Sequence, residues 1–441
     1  MARRMKPSGI EWIGDIPEGW EIVRLRYLAN LFTGNSLNDE EKELYSSYSS
    51  GIPYVSTKDI DLESNVINYD NGLMIPQETC TLKIAPKQNL LICIEGGNAG
   101  KKIGFLAEDV CFVNKLCCFQ ANKKSFSKFI YYYSKCHCFA EQFNTCISGL
   151  MGGVSTQQLK NFSFVNPPLP EQQAIADYLD RKSELIDSTI EKQKTVIEKL
   201  KLYKQSIITE AVTKGLNPTV KMKPSGIEWI GDIPEGWNLS KVKFVTSKIG
   251  SGVTPRGGSE VYVETGIIFL RSQNIYNEGI RIEDVVYIPE EIDKEMESTR
   301  VFRNDILLNI TGGSIGRCCI FPKNIGSANV NQHVCIIRPI EGLVNASYLH
   351  YFFIGDCGVN YINVFQSGAN REGLNFKQIE NMYIPYPPLS EQQAIADYLD
   401  QKCSQIDIII EQKLKLIEKL SSYKKSLIYE CVTGKREVME A

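Results

Sequence analysis

Polar side chains that can hydrogen-bond to nucleic-acid bases recur in turn-like stretches of this sequence. Arginine can pair with guanine through two hydrogen bonds, and asparagine or glutamine can do the same with adenine. Because asparagine and glycine also fill turns for conformational reasons, the stretches favour base reading without excluding a structural role. The candidate DNA-binding residues are Asn35, Lys58, Asn98, Lys101, Lys102, Asn114 and Lys115 in the first half of the chain, and Arg256, Arg271, Gln273, Asn274, Arg317, Asn331, Gln332, Asn370 and Arg371 in the second.

The glycine-rich segment Gly96-Gly-Asn-Ala-Gly-Lys-Lys102 resembles part of a nucleotide-binding P-loop. Its spacing is one residue short of that motif, and Lys102 stands where a magnesium-coordinating Ser or Thr is required. We therefore interpret it as a glycine-rich hairpin. Its backbone amides, together with nearby lysines or with Arg317 in the second copy, could still approach phosphate oxygens.

Catalytic motifs are weak in this sequence. Asn166-Pro-Pro-Leu169 is close to the NPPY/F motif of amino-methyltransferases, but it lacks the aromatic residue, and its second copy, Tyr386-Pro-Pro-Leu389, also lacks the Asn. No glycine-rich cofactor turn precedes either copy, and no Gly-x-Ser-x-Gly nucleophile elbow occurs. We predict that the chain is not an enzyme and has no catalytic residues and no cofactor.

The 14 cysteines follow no regular framework, and two adjacent pairs begin at Cys117 and Cys318. Such usage favours reduced thiols and a cytoplasmic location over disulfides. Cys136-His137-Cys138 suggests zinc, but the sequence has only three histidines and no second pair at ligand spacing, so no metal site is predicted. No apolar run approaches 18 residues, and no apolar stretch follows the N-terminal MARRMKPSG, so neither a membrane span nor a signal peptide is expected.

The charge of the chain gives nucleic acid little general attraction. The formal net charge is −3 over 441 residues. Residues 21–166 carry 14 basic and 14 acidic residues, and residues 238–386 carry 14 and 15. Any contact with nucleic acid must therefore come from local patches.

The sequence repeats itself, and the repeats define its organisation. MKPSGIEWIGDIPEGW occurs unchanged at 5–20 and 222–237 and predicts a turn-rich strap, while EQQAIADYLD occurs at 171–180 and 391–400. The predicted divisions are a first domain at 1–166, a long helix at 167–214, a linker, second strap and second domain at 215–386, a second long helix at 387–434, and a tail at 435–441.

The two domains have diverged but share a skeleton. Val113-Asn114 matches Val330-Asn331, and short β-rich runs alternate with Gly and Asn turns in both copies. One helix is expected around 126–143 and another around 345–358. The pattern predicts a compact α+β domain of mostly antiparallel or mixed sheet, present twice.

The long helical segments carry apolar residues at alternating steps of three and four, a spacing that favours helices packed around each other. Ser390 and Gln393 have the spacing of a capping box, and Gly215 and Gly434 are suited to end the helices. Because the unit is duplicated, we expect an antiparallel coiled coil with pseudo-twofold symmetry that holds the two domains apart.

The whole chain resembles the specificity (S) subunits of type I restriction–modification systems. The resemblance rests on the two PPLxEQQAIADYLD blocks that begin long helices, the two SGIEWIGDIPEGW blocks, and the strand-plus-glycine signature at 305–317. It implies two target-recognition domains that each read one half of a split double-stranded DNA sequence. It also implies two docked methyltransferase subunits and, through the complex, restriction subunits, which supply all of the catalysis and use S-adenosylmethionine and ATP.

Other interpretations remain open from the sequence. The chain could be the specificity module of a type II-like fused methyltransferase–nuclease, or a coiled-coil scaffold that binds no DNA. Separate restriction and methylation subunits that co-purify with the chain would argue against the first, and a DNA footprint would argue against the second.

Overall fold

The computed structural model describes residues 3–147, 152–365 and 373–438. The chain forms two compact units, one made of residues 1–193 and 415–441 and the other of residues 194–414. Each unit therefore combines one strap and one α+β domain with a segment from each of the two long helices.

The first unit contains twelve short strands among its described residues, together with four short helices and the start of the first long helix. In chain order these are β1 (Met5–Pro7), β2 (Asp15–Pro17), β3 (Glu21–Arg24), β4 (Ala29–Thr33), α1 (Asp39–Ser46), β5 (Ile52–Val55), β6 (Met74–Ile75), β7 (Ile84–Ala85), β8 (Leu90–Cys93), β9 (Ile103–Phe105), β10 (Val110–Phe112), β11 (Leu116–Ala121), α2 (Ser127–Ser134), α3 (His137–Cys146), α4 (Thr156–Leu159), β12 (Ser163–Asn166) and α5 (Leu169–Lys214).

Two four-stranded sheets form the centre of this domain, with strand orders β6-β5-β10-β7 and β4-β11-β8-β9. Val55, Leu91, Phe112 and Cys118 pack between the two sheets. The opposite face of the second sheet packs with α2, α3 and the long helices in a larger core. The layers are thus sheet, sheet and helix, which agrees with the predicted α+β class.

The second unit repeats this plan with further strands and helices, and it includes most of the second long helix. Its elements are β13 (Met222–Pro224), β14 (Asp232–Pro234), β15 (Asn238–Lys241), α6 (Val242–Val245), β16 (Thr246–Ser251), β17 (Ile267–Leu270), β18 (Ile275–Tyr276), β19 (Gly279–Ile280), β20 (Val286–Ile288), α7 (Glu290–Glu295), β21 (Arg300–Val301), β22 (Ile306–Asn309), β23 (Cys318–Ile320), β24 (Ala328–Val330), β25 (Val334–Pro339), α8 (Ala346–Ile354), α9 (Asp356–Val364), α10 (Phe376–Asn381), β26 (Tyr383–Tyr386) and α11 (Leu389–Val432).

The two central sheets of the second unit have the orders β16-β25-β22-β23 and β20-β17-β24-β21, which match the first unit strand for strand, and the second unit adds the two-stranded ladder β18-β19. One pair in each unit is parallel, β5 with β10 and β17 with β24, and the remaining ladders of the four-stranded sheets are antiparallel. The prediction of a mixed sheet present twice is confirmed.

The identical decapeptide at the start of each long helix makes the same contacts in both units. Gln172 is buried, and its side-chain oxygen accepts a hydrogen bond from the Phe126 backbone amide at 2.9 Å. Gln392 does the same with the amide of Asn345 at 2.8 Å. The last residue of each decapeptide is also bound in the same way. The Tyr132 hydroxyl donates to Asp180, and the Tyr351 hydroxyl donates to Asp400, each at 2.7 Å. The repeat is therefore the segment through which each long helix packs on its domain. Several of its residues contact the domain, which explains why they are identical in the two copies.

The two long helices run antiparallel within each unit. In the first unit, Lys424 donates to Asp187 at 2.6 Å, and Leu427, Ile428 and Val432 of α11 lie in one core with residues of α5. In the second unit, Lys204 donates to Asp407 at 2.7 Å, and Gly215, just beyond α5, lies beside Glu391 near the start of α11. Both helices end as predicted, before glycines with positive φ, +74° at Gly215 and +73° at Gly434.

Two local predictions are wrong. The capping box does not form, because α11 begins at Leu389, one residue before Ser390, and the Gln393 side chain instead accepts from Asn345 Nδ2 at 2.7 Å and donates to Asp397 at 2.8 Å. The single helices expected at 126–143 and 345–358 are each two helices, because the chain becomes extended at Cys136 and Gly355 before it turns into α3 and α9.

Candidate nucleic-acid interface

In the first unit, the loops that carry the candidate residues meet at one edge of the sheets. β5 and β10 are parallel, so the turn after Val55 and the loop after Phe112 leave from the same end. That loop enters β11, which is antiparallel to both β8 and β4. The glycine-rich loop after β8 and the segment after β4 therefore also leave at this edge, which we call the first loop edge.

Hydrogen bonds connect the segments of the first loop edge. The ammonium of Lys102 donates to the carbonyl of Thr57 at 2.8 Å, and the amide of Ile94 donates to the carbonyl of Lys115 at 3.0 Å. The Tyr54 hydroxyl donates to the carbonyl of Asn35 at 2.6 Å, and burial raises the pKa of Tyr54 to about 12. The loops thus form one connected surface.

The candidate residues of the first loop edge differ in how free they are. Lys58, Asn98, Lys101, Asn114 and Lys115 are exposed. Asn35 is half-buried, and its side-chain oxygen accepts from the amide of Lys83 at 2.9 Å. Lys102 is also half-buried, and its ammonium holds two loops together. Of these five, Lys101 donates a long hydrogen bond of 3.4 Å to the carbonyl of Gly97, and the other four can meet a ligand without first breaking a side-chain hydrogen bond to another described residue.

The second unit builds the same edge from the corresponding strands. The parallel pair β17 and β24 brings together the turn after Leu270 and the loop after Val330. That loop enters β25, which is antiparallel to β22 and β16, so the glycine-rich turn after β22 and the segment after β16 leave at the same edge. We call this the second loop edge.

A chain of side-chain hydrogen bonds crosses the second loop edge. The Thr254 hydroxyl bonds the side-chain oxygen of Gln332, and the other end of that amide lies 3.1 Å from His333 Nε2. His333 Nδ1 is 2.6 Å from the Thr311 hydroxyl. The segments after β16, β22 and β24 are thereby linked, and Gln332 is held in one orientation while remaining exposed.

The second-unit candidates are also placed unevenly. Arg256, Gln273 and Gln332 are exposed. Arg271 and Arg317 are half-buried, and a guanidinium nitrogen of Arg271 donates to the carbonyl of Asp284 at 2.9 Å. Asn370 and Arg371 lie outside the described residues.

Two candidates have their side chains committed to the protein itself. Asn274 is 1% exposed, its oxygen accepts from the amide of Arg271, and its nitrogen donates to the carbonyl of Arg281. Asn331 is 9% exposed and its oxygen accepts from the amide of His333. We therefore assign Asn274 and Asn331 to turn formation. This is the structural role of asparagine that the sequence did not exclude.

The sequence match of Val113-Asn114 to Val330-Asn331 is wrong by one residue. The amide of Ile94 bonds the carbonyl of Lys115, and the amide of Ile310 bonds the carbonyl of His333, each at 3.0 Å. Asn114 therefore corresponds to Gln332. The exposed residue at this position is asparagine in one unit and glutamine in the other.

Sequence reasoning missed two residues of the second loop edge, Tyr276 and Arg281. The carbon at the centre of the Arg281 guanidinium lies 3.6 Å from the centre of the Tyr276 ring. Their only signal in the sequence was an aromatic residue five positions before an arginine, directly after a predicted turn.

The described residues contain no group of three or more His, Cys, Asp or Glu side chains placed to hold a metal ion. All 14 cysteines are free thiols, and burial raises the pKa of Cys117, Cys319 and Cys335 to about 12. These thiols are packing groups. No helix among the described residues is long and apolar enough to cross a membrane.

The family model described as "Type I restriction modification DNA specificity domain" matches this chain twice, at residues 17–201 and 234–419. The chain belongs to this family. The two matches follow the two copies of the α+β domain and the start of each long helix. The predicted family is confirmed, and the chain is a specificity subunit and not one of the catalytic subunits.

Curated relatives extend over nearly the whole chain. The type I restriction enzyme EcoBI specificity subunit of Escherichia coli is 23% identical over 98% of this chain and 90% of its own length. The MjaVIII specificity subunit of Methanocaldococcus jannaschii is 27% identical over 96% of this chain and 94% of its own length.

Solved structures share the fold. A chain from a structure of complex assembly and conformational transition in a type I restriction–modification system has a TM-score of 0.73 at 16% identity, covering 96% of this chain and 99% of that one. The HsdS subunit of Thermoanaerobacter tengcongensis has a TM-score of 0.54 at 17% identity, covering 96% and 98%. The duplicated arrangement of domains and long helices is therefore a fold that this family member shares with known specificity subunits.

Proposed function

We propose that this specificity subunit recognises an asymmetric, bipartite double-stranded DNA target, with one α+β domain reading each half. The observation that carries the proposal is the pair of loop edges, which have the same strand framework but different exposed side chains. Equal frameworks suit two equivalent duplex half-sites, and unequal side chains suit two different base sequences.

The exposed residues are the proposed determinants. In the first domain, within the proposed boundary 1–166, they are Lys58, Asn98, Lys101, Asn114 and Lys115; in the second, within 215–386, they are Arg256, Gln273 and Gln332. Asn35, Lys102, Arg271 and Arg317 have side chains or backbone groups that also tie the loops together, so we assign them a positioning role beside any contact with DNA.

Methylation and cleavage are assigned to partner proteins. We infer that two methyltransferase subunits bind this chain, that restriction subunits join through the complex, and that the assembly acts on DNA in the cytoplasm. The family membership and the fold shared with a chain from a type I assembly support this inference.

The near balance of acidic and basic residues in each domain supports DNA binding by this chain together with its partner subunits. Phosphate neutralisation by Lys and Arg supplies much of protein–DNA affinity and makes it salt-dependent. With 14 basic against 14 acidic residues in 21–166, and 14 against 15 in 238–386, the chain alone has little of this attraction. The partner subunits would then be needed to enclose the duplex.

The test is to map methylated adenines across the genome of cells that carry the complete system, with and without this gene. We expect one bipartite motif to be methylated only when the gene is present. Asn114→Ala should relax base preference in one half of the motif and Gln332→Ala in the other, because the two residues occupy corresponding positions.

Arg303→Ala is a matched control, because Arg303 is exposed and precedes β22, at the end of that strand opposite the second loop edge. It should leave the motif unchanged. A methylation pattern that is the same without this gene would refute the proposed function. If Asn114→Ala and Gln332→Ala both leave the base preference unchanged, the side-chain amides of Asn114 and Gln332 do not read bases.

A further inference from the structure

Two arginines of the second loop edge lie against the same tyrosine ring. The guanidinium carbon of Arg281 is 3.6 Å from the ring centre of Tyr276, and that of Arg317 is 4.6 Å from it. We call these three residues the arginine–tyrosine cluster. Stacking on an aromatic ring fixes the plane of a guanidinium and leaves its N–H groups pointing outward.

The hairpin that carries Tyr276 and Arg281 is fastened to the end of the glycine-rich segment that carries Arg317. The side-chain oxygen of Asn277, between β18 and β19, accepts from the amide of Cys318 at 3.0 Å. At the base of the hairpin, the amide of Arg281 donates to the carbonyl of Asn274 at 2.9 Å. The cluster is therefore held at the second loop edge, next to the segments that carry the candidate base-reading residues.

The positive charge of the cluster has no partner in the described part of the chain. Neither Arg281 nor Arg317 makes an ion pair or a side-chain hydrogen bond with any described residue. Glu278, Glu283 and Asp284 are exposed in the same stretch, and no ion pair joins them to either arginine. Two cations on one ring repel each other, so the arrangement gains stability when an anion binds both.

Among its described residues, the first unit has no such cluster at the corresponding place. There, Asn65 takes the position of Asn277, since its side-chain oxygen accepts from the amide of Ile103 at 3.0 Å. The turn before it carries Asp61 and Glu63, both exposed. The difference lies in the turn itself, because the surrounding framework is the same.

We propose that the arginine–tyrosine cluster binds a backbone phosphate of the DNA at the second half-site, so that the two half-sites are held with unequal electrostatic strength. The inference rests on the proposed DNA-binding function and adds a phosphate site to it. A phosphate offers oxygens in the geometry that two guanidinium groups can share, and such contacts position a protein on the duplex without reading sequence.

The experiment uses the full-length chain in complex with the methyltransferase subunits of its system. The probe is the duplex that this complex selects most strongly from a randomised pool, and affinity is measured from about 50 to 200 mM salt. Each phosphate contact contributes about 0.9 to the slope of log affinity against log salt. Arg281→Gln should lower the slope by about that amount, so its affinity falls about 3.5-fold less than the wild type's over this range.

Adding Arg317→Gln should lower the slope little further, because both arginines contact the same phosphate and one phosphate contributes about 0.9 in all. Arg281→Lys keeps the charge and should keep most of the slope. Arg303→Gln removes an exposed arginine away from the loop edge and should leave the slope unchanged. Selection from the pool should return the same motif for every variant, and thermal unfolding should show that each is folded.

The outcomes separate the two proposals. A wild-type complex that selects no motif would overturn the proposed function. A wild-type complex that selects a motif, with variants of unchanged salt slope, would overturn the phosphate site alone. Loss of one guanine from the motif in Arg281→Gln or Arg317→Gln, not restored by lysine, would assign the cluster to base reading and also overturn the phosphate site.

Discussion

The indole nitrogen of Trp20 donates a 3.0 Å hydrogen bond to a carboxylate oxygen of Glu171, and Trp237 donates to Glu391 at the same distance. Each pair joins a strap to the first turn of the long helix that follows its domain. Trp20 is 0% exposed and Trp237 is 2% exposed, so each glutamate satisfies a buried donor. The contact links one position of the strap repeat to one position of the helix repeat in the same way in both units.

Glu171→Ala should destabilise the first unit. It leaves the indole N–H of Trp20 buried without a partner, which costs about 1–3 kcal/mol. Glu171→Gln keeps an acceptor oxygen and should cost less. Unfolding by urea measures the difference, and Glu184→Ala, at an exposed position on the same helix, serves as the control. Equal stability of Glu171→Ala and Glu184→Ala would show that the indole contact contributes nothing.

Gly252→Ala should disturb the second loop edge. A Cβ at this position would lie 1.7 Å from the carbonyl oxygen of Val330, so the backbone of one segment must move. We expect a loss of about 1–3 kcal/mol, as for other overpacked sites, and weaker target recognition in the methylation assay. Gly313→Ala meets no atom within 4 Å and should stay within about 0.5 kcal/mol of the wild type. A stable, fully active Gly252→Ala chain would contradict the close approach.

His350 should make stability fall in mild acid. Burial lowers the pKa of His350 below its ordinary value of 6.5, and its Nε2 lies 3.0 Å from the carbonyl oxygen of Cys318. The unfolded chain therefore binds a proton below about pH 6.5 that the folded chain does not, so unfolding becomes easier as pH falls. His350→Gln can keep a donor to Cys318 without this titration. The free energy of unfolding, measured from pH 7 to 5, should fall more steeply in the wild type, and parallel curves would rule this histidine out as the cause.

The purified chain alone should bind DNA weakly at physiological salt. Its net charge is −3 and its two domains are close to neutral, so few counterions are released on binding. Addition of the methyltransferase subunits should raise the affinity and steepen its salt dependence. Fluorescence anisotropy with a labelled target duplex measures both. A nanomolar complex between DNA and the isolated chain that resists salt would contradict the proposal that the partner subunits are needed for tight binding.

The sequence by itself determined the duplicated plan. Exact repeats at 5–20 and 222–237 and at 171–180 and 391–400 mark straps and helix starts, and the 3.5-residue apolar spacing indicates paired helices. These features are local in the chain or periodic along it, so they can be recognised in the sequence without the three-dimensional structure. They also carry the family resemblance that the family model confirms.

Which candidate residues are free was decided by tertiary structure. Asn274 and Gln273 are neighbours of similar chemistry, yet the first is buried in a turn and the second is exposed. Composition cannot separate them, because a side chain's partners come from segments distant in the chain. The one-residue error at Asn114 has the same cause, since strand register is set by pairing with β8 and β22.

The make-up of the two units was also decided only in three dimensions. Chain order suggests that each domain keeps its own helix, but the first unit includes residues 415–441 from the end of the chain, and the second includes residues 194–214 of α5. Each domain presents an apolar face that its own helix covers only in part, and an antiparallel segment completes the cover. Burial of apolar surface is favourable for any segment of suitable shape, whatever its place in the sequence. Only the folded structure therefore identifies which segment covers each domain.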